Sequence, residues 1–506
     1  MTTVQGIDPR TGESVGEPLA ETTSDEVERL LAAAHDAAGS YGASRQQVRA
    51  GFLRALADAL DEATARLVPI AQAESGLPEA RLTGEVARTS GQLRLFAEVV
   101  LDGAYLEVIV DSGDASATPP QSDLRRWLEP LGAVLVYAAS NFPFAFSVLG
   151  GDTASALAAG CPVLLKAHPS HPATSAAVAE LANEVVVRQG LPAGVFGMIV
   201  GDDQGVRALR DERITAAGFT GSTTGGRFLA GVAADRPRPI PFFGELGSIN
   251  PAVVTAAAAA ARGAEIARGF VASMTLGTGQ FCTKPGLLFL PTGHGMDDAL
   301  VGALTETAPA PMLNARIRDQ LASGLDGLAA HADVTIVAEA SAAPSGGAWA
   351  TPRLFRTSAR ALAADAVPLT KEYFGPNALL VEYDGERDLL AALRCVEGTL
   401  TATAHVEDGD TGPVTAVLDV LRQRAGRVIV NGWPTGVAVT WSMQHGGPWP
   451  ATTDAAHTSV GATAIDRWLR PVCYQDVPER WLPEALREDN PWQLPRRVNG
   501  RMQTVR

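Results

Sequence analysis

Cysteine is scarce in this chain, with four among 506 residues, and none of the four lies in a CxxC pair. Cys161, Cys282, Cys395 and Cys473 are too few and too scattered for a disulfide framework. Without paired cysteines no metal site is expected. A basic excess is missing too: the net charge is −15, which argues against nucleic acid as a partner. No run reaches the ~18 strongly apolar residues that suggest a membrane span, and the alanines at 256–261 read as helix. The opening Met1-Thr2-Thr3-Val4-Gln5-Gly6 lacks a basic stretch followed by an apolar one, so no secretory signal is expected. The expected location is a reducing cytoplasm, which would keep Cys282 free.

Hydrophobic residues make up 46% of the chain and charged residues 19%, the balance of a folded protein. Its length is too great for one ordinary core and predicts two or three domains. Residues 24–65 and about 79–100 read as helical. Residues 111–122 break regular structure, as a linker or as the turn of an extended hairpin. An alternation follows. Strands are predicted at 133–137, 162–166, 195–200 and 214–219, and helices at 147–160, 173–189, 204–210 and 225–234. Repeated β-α-β units with short connections imply a parallel, doubly wound sheet, whose ligands bind at the carboxyl ends of its strands. A second α/β region is predicted over 250–445, with a surface loop at 340–348. The tail after Pro471 reads as irregular and suited to packing on a partner subunit.

Two small-residue loops carry the most chemistry. Cys282 lies in Gly279-Gln280-Phe281-Cys282-Thr283, and Glu245 in Gly244-Glu245-Leu246-Gly247. A thiol that attacks and a carboxylate that manages protons and water suffice for covalent catalysis at a carbonyl. The bland reading of a cysteine is a small apolar residue, and it is kept for Cys161, Cys395 and Cys473. Asn141, just past a strand, either donates to a developing oxyanion or caps a turn. Lys166 ends a predicted strand, to hold an adenosine ribose or simply to meet solvent. Phe219-Thr220-Gly221-Ser222-Thr223-Thr224-Gly225-Gly226 follows a strand and opens a helix, as a pyrophosphate site or as a plain turn. Arg227-Phe228 replaces the Lys-Ser/Thr of a P-loop. Glu372 precedes aromatics and a Gly-Pro turn, in a loop that faces a cleft or solvent.

Taken in order, these pieces resemble the aldehyde dehydrogenase superfamily. The carriers are Asn141-Phe142-Pro143, Lys166, Gly218-Phe219-Thr220-Gly221-Ser222, Glu245-Leu246-Gly247, Gly279-Gln280-Phe281-Cys282 and Glu372-Tyr373-Phe374-Gly375-Pro376. Further segments are similar to the branch that holds α-ketoglutaric semialdehyde dehydrogenases and NADP-dependent long-chain aldehyde dehydrogenases. These are Gly76-Leu77-Pro78, Arg81-Leu82-Thr83-Gly84-Glu85, Arg88-Thr89, residues 445–454, and Arg470-Pro471-Val472-Cys473-Tyr474. There are departures. Ser248-Ile249 replaces the usual Gly-Lys, and Pro169 stands where a ribose-binding Glu is common.

The resemblance implies an α/β fold with three parts. They are a Rossmann-like dinucleotide-binding domain (1–108 and 129–247), an α/β catalytic domain (248–445), and a small oligomerisation arm with C-terminal tail (109–128 and 471–506). It implies an aldehyde substrate, a homodimer or homotetramer, and oxidation to a carboxylate through a Cys282 thioester. Glu245 would activate water, and Asn141 with the Cys282 amide would stabilise the oxyanion. Lys166, Ser170, Gly221, Ser222, Glu372 and Phe374 would bind the cofactor. Pro169 in place of an acid tilts that cofactor towards NADP, with NAD possible.

By position in the family, Arg88 would line the aldehyde tunnel and hold an anionic end of the substrate. Its bland alternative is an ion pair with Glu85. Phe142, Phe146 and Trp441 would supply apolar walls. The expected reaction is 2,5-dioxopentanoate to 2-oxoglutarate, ahead of a medium- or long-chain aldehyde. A non-catalytic member of the fold and an enzyme that passes its thioester to coenzyme A are the other readings. The presence of both Cys282 and Glu245 argues against the first, and Glu245 against the second.

Overall fold

A computed structural model describes residues 2–410 and 414–504. Its first sheet has five parallel strands, in the spatial order Phe196–Ile199, Val163–Lys166, Val134–Tyr137, Ala216–Thr220, Phe242–Glu245. Val134–Tyr137 is buried at every position, as a strand covered by helices on both faces must be. The chain fills the sheet outwards from this strand, first to one side and then to the other. The switch point lies between it and Ala216–Thr220, and the register sets Tyr137 beside both Lys166 and Phe219. Lys166, Gly221, Glu245 and the turn carrying Asn141 therefore share the carboxyl edge of one sheet. Helices Gln46–Glu62, Glu79–Asp102 and Pro172–Arg188 cover one face, and Ser24–Gly42 and Thr223–Ala234 contribute to the apolar packing on the other.

The second sheet has seven strands, from Thr335–Glu339 at one edge to Ala425–Val430 at the other. All neighbours pair in parallel except Thr335–Glu339, which runs antiparallel to Arg353–Ser358. Apolar clusters lie on both of its faces. Cys282 sits in the turn between the helix Ala256–Thr275 and the strand Leu287–Pro291.

The tail corrects the expectation of an irregular segment. Leu469–Gln475, Arg496–Val498 and Arg501–Gln503 are strands of a five-stranded sheet completed by Val108–Asp111 and Leu124–Pro130. Pro471 and the dense prolines and tryptophans hid this pattern. Strands as short as three residues carry no readable alternation, and Pro471 stands on a strand at the sheet's edge. Residues 111–124 are the hairpin connection rather than a linker. Among the described residues no helix is long and apolar enough to cross a membrane.

Candidate active site

Glu245 is the last residue of its strand and 3% exposed. What meets it comes from far along the chain. Residues 451–453 lie against 244–246: the Leu246 amide donates to the Ala451 carbonyl at 2.7 Å, and the Thr453 amide to the Gly244 carbonyl at 2.9 Å. The segment then returns on itself, with the Ser459 amide donating to the His445 carbonyl at 2.8 Å and the His445 amide to Thr458 Oγ1 at 2.8 Å. Both ends of this closed loop turn side chains inward. His445 Nε2 lies 3.0 Å from Glu245 Oε1, and Ser459 Oγ donates to Glu245 Oε2.

Cys282 Sγ lies 3.4 Å from the same His445 Nε2. Its loop is fixed from below by Asn250, whose amide nitrogen donates to the Cys282 carbonyl at 2.8 Å and the Lys284 carbonyl at 2.9 Å. Asn250 Oδ1 in turn accepts from Ser248, Thr399 and Thr401. Gly279 has φ 64°, and a Cβ there would lie 2.3 Å from the Gly375 carbonyl carbon. Only glycine lets the Cys282 loop pass the Glu372–Gly375 loop this closely.

Asn141 is buried, and its turn is gripped by the helix Glu79–Asp102. Arg81 donates to the Asn141 carbonyl at 2.8 Å and lies over the rings of Phe142 and Phe281. One oxygen of buried Glu85 accepts from the Phe144 amide at 2.8 Å and the Ala145 amide at 3.0 Å. The Asn141 side-chain nitrogen donates to the Gln280 carbonyl at 2.9 Å, which ties the turn to the Cys282 loop. Glu85 thus serves the turn, and no Glu85–Arg88 ion pair forms among the described residues. Arg88 lies over Phe146 at 5.4 Å, donates to the Val437 carbonyl at 3.4 Å, and leaves Nη1 buried without a partner. Phe142 packs edge-on against both Phe146 and Phe281, at 5.2 Å each. Trp441 is 53% exposed and makes no ring contact with that cluster.

The other candidates lie towards the outer sheet edge. Lys166 is 6% exposed and pairs with Asp202. A cavity of about 250 Å³ beside it is lined by Glu21, Lys166, Pro169, Gly201, Asp202 and Asp203, among others. Ser170 Oγ accepts from Asn314 at 2.9 Å. Ser222 caps its helix, accepting from the Gly225 amide at 3.2 Å, and the Gly221 amide donates to the Glu245 carbonyl at 3.0 Å. Glu372 accepts from the Ser248 amide at 3.1 Å, beneath Gly247, where a Cβ would meet its Oε2 at 2.7 Å. Phe374 is half-buried on the same loop.

Residues 1–449 match the family model described as the aldehyde dehydrogenase family. The chain belongs to that family. An α-ketoglutaric semialdehyde dehydrogenase 2 of Azospirillum brasilense is 45% identical over 99% of this chain and 96% of its own length. An α-ketoglutaric semialdehyde dehydrogenase of Acinetobacter baylyi is 40% identical over 98% and 95%. A crystal structure of proline utilization A from Bdellovibrio bacteriovorus shares the fold, with a TM-score of 0.80 at 20% identity. It matches 94% of this chain and 48% of its own. This aldehyde dehydrogenase is thus an NAD(P)-dependent enzyme. The cavity at Lys166 and the Gly247–Glu372 cradle are the places that could hold its cofactor.

The electrostatics of the dehydrogenase's centre follow from its dryness. Burial, then the Glu245 carboxylate beside it, push the Cys282 thiol well above its usual range. Burial alone would also raise Glu245, but the His445 imidazole and hydrogen bonds from His445, Ser459 and Cys282 outweigh it and hold the carboxyl below its usual range. Burial weakens the charge preference of Arg88 and of Arg427. The Cys282 sulfur counters this at both residues, and Glu85 and Glu245 add to it at Arg88. Arg427 donates to the Pro434 carbonyl at 2.7 Å, so two guanidinium groups grip residues 434–437 near the thiol.

His445 and Ser459 were not among the residues singled out for chemistry. His445 stood in view as the first residue of a recognised segment. Its signal was a histidine among glycines and prolines, where no apolar helix or strand pattern explains it.

Proposed function

We propose that this dehydrogenase oxidises 2,5-dioxopentanoate to 2-oxoglutarate at Cys282. The observation that carries the substrate is Arg88: a buried guanidinium with one free nitrogen, stacked on Phe146, whose ring in turn lies 6.4 Å from that of His445. A semialdehyde whose far end is an oxo-acid offers a carboxylate to that nitrogen. The named activities of the two relatives, at 45% and 40% identity, support the same choice. The aromatic group Phe142, Phe146 and Phe281 favours a neutral aldehyde as second reading, since its rings supply apolar wall and no hydrogen bond.

His445 Nε2 faces both the thiol and the carboxylate. The Cys282 proton passes to the Glu245 carboxylate as the sulfur attacks the aldehyde carbon, while His445 Nε2 donates to that carboxylate and steers it. The proton then leaves to solvent, so that Glu245 is free again. The developing oxyanion is met by the Asn141 side chain and the Cys282 amide, an interaction whose loss costs ~3 kcal/mol. Bound NAD(P) supplies the acceptor for the two electrons of the oxidation, and the product remaining on Cys282 is a thioester. Glu245, held by Ser459 and His445, then takes a proton from the attacking water, and Cys282 leaves as thiolate.

Lys166, Ser170, Gly221, Ser222, Glu372 and Phe374 form the proposed cofactor track. Pro169 removes an acceptor for the 2′-hydroxyl, but Asp202 reaches Lys166 from the next turn. We read the enzyme as using both cofactors, with Asp202 holding NADP back. The exposed edge strand Arg501–Gln503 suits the arm for self-association, which sedimentation would measure.

The substrate test is Arg88→Met, assayed on the dioxo-acid and on a neutral aldehyde. The dioxo-acid is expected to lose about 10- to 100-fold in kcat/KM, the weight of ~1.5–3 kcal/mol for hydrogen bonds to a charged group. The neutral aldehyde is expected to keep its rate. Equal losses on both would refute the assignment.

A further inference from the structure

Cys282, His445 and Glu245 do more than share protons. Their Sγ, Nε2 and carboxylate oxygen all lie within 4.8 Å of one another. A tetrahedral zinc ion takes sulfur at about 2.3 Å and nitrogen or oxygen at about 2.0–2.2 Å, which sets neighbouring ligand atoms roughly 3.3–3.6 Å apart. The observed separations are 3.4 Å between Sγ and Nε2 and 3.0 Å between Nε2 and Oε1. The trio needs shifts of a few tenths of an ångström at those two pairs, well within side-chain freedom.

We propose that this trio is a binding site for a thiophilic divalent cation, zinc above all, and that occupancy shuts the enzyme off reversibly. Three protein ligands with a fourth position left to water is the donor count of an open zinc site. A thiolate among them selects zinc over magnesium or calcium, which prefer all-oxygen sets. One outer support is in place, since Ser459 orients the Glu245 carboxylate from its other oxygen. A second is missing, because His445 Nδ1 is buried without a partner. Absent support of that kind weakens a site by about 10- to 100-fold, so the metal should exchange with a chelator rather than stay as a permanent structural ion. Binding releases the thiol proton and any proton on Nε2 to solvent, and it removes the nucleophile and the water-activating carboxylate together. The paired-cysteine pattern that marks zinc in sequences is absent because the ligands come from three separate segments.

The test uses the full chain, stripped with chelator and titrated with Co²⁺ in the absence of cofactor. One equivalent per chain should bind with a thiolate-to-cobalt charge-transfer band, and Zn²⁺ but not Mg²⁺ should displace it. Cys282→Ser and His445→Asn should each weaken binding at least about 100-fold, more than the loss of a supporting residue. Cys395→Ser and Cys473→Ser should bind as the parent does. In turnover assays, zinc inhibition should reverse on adding chelator. Circular dichroism checks that each variant is folded. A band that survives His445→Asn, cobalt binding without a thiolate band, or displacement by Mg²⁺ would overturn the site. None of these results depends on which aldehyde the enzyme oxidises, so the zinc site and the substrate assignment fail separately.

Discussion

The two ends of the proposed reaction track are built differently. At the cofactor end, Lys166 meets a carboxylate whose side chain is 79% exposed. Ser222 is exposed and its hydroxyl caps the following helix. At the other end, His445 and Glu245 have side chains 0% and 2% exposed, and both carboxylate oxygens of Glu245 are engaged. The cofactor end can trade partners with water and a passing dinucleotide. The catalytic end cannot, so each group there is set by its neighbours and a single change propagates. Losses should therefore be large and coupled around Cys282, and small and separable around Lys166.

The largest expected effect is at His445. His445→Asn should lower kcat by about 100- to 10,000-fold, the span of acid–base catalysis, because it unseats the Glu245 carboxylate that moves the protons. It should also slow alkylation of Cys282 by iodoacetamide near neutral pH. An unchanged alkylation rate would show that the imidazole does not serve the thiol. A smaller effect belongs to Glu372. Burial pushes its carboxyl up to about 7, opposed by buried Lys284, itself lowered by burial to about 8. Below pH 7 Glu372 takes up a proton and loses acceptor strength. KM for the cofactor should then rise several-fold between pH 8 and pH 6, and Glu372→Gln should flatten the profile. The smallest effect is at Asp202, whose exposed pairing is worth about 1 kcal/mol or less. Asp202→Ala should shift the NADP/NAD ratio of kcat/KM up by no more than about fivefold, with kcat unmoved. A loss of kcat there would break the contrast between the two ends.

That contrast also explains what the sequence could show. The alternating strands and helices of the first sheet were legible because each element has its own periodicity and short connections. Cys282, Glu245, Asn141, Lys166 and Glu372 were legible because each sits in a local motif. His445 was not, since its meaning lies 163 residues from Cys282 and 200 from Glu245. Nor did local spacing show that Glu85 holds backbone amides of the Asn141 turn instead of pairing with Arg88. The helix offered a partner three residues away, and the fold offered two amides that would otherwise be buried unsatisfied. The strands of the tail were lost to brevity and proline.

The central claim is a thioester on Cys282 that water, prepared by Glu245, resolves. Glu245→Gln mixed rapidly with aldehyde and NAD(P) tests it most directly. The account predicts a burst near one NAD(P)H per site, then turnover slowed by about 100- to 10,000-fold, with the acyl group found on Cys282 by mass spectrometry. Steady turnover close to that of the parent, or an acyl group absent from Cys282, would contradict it.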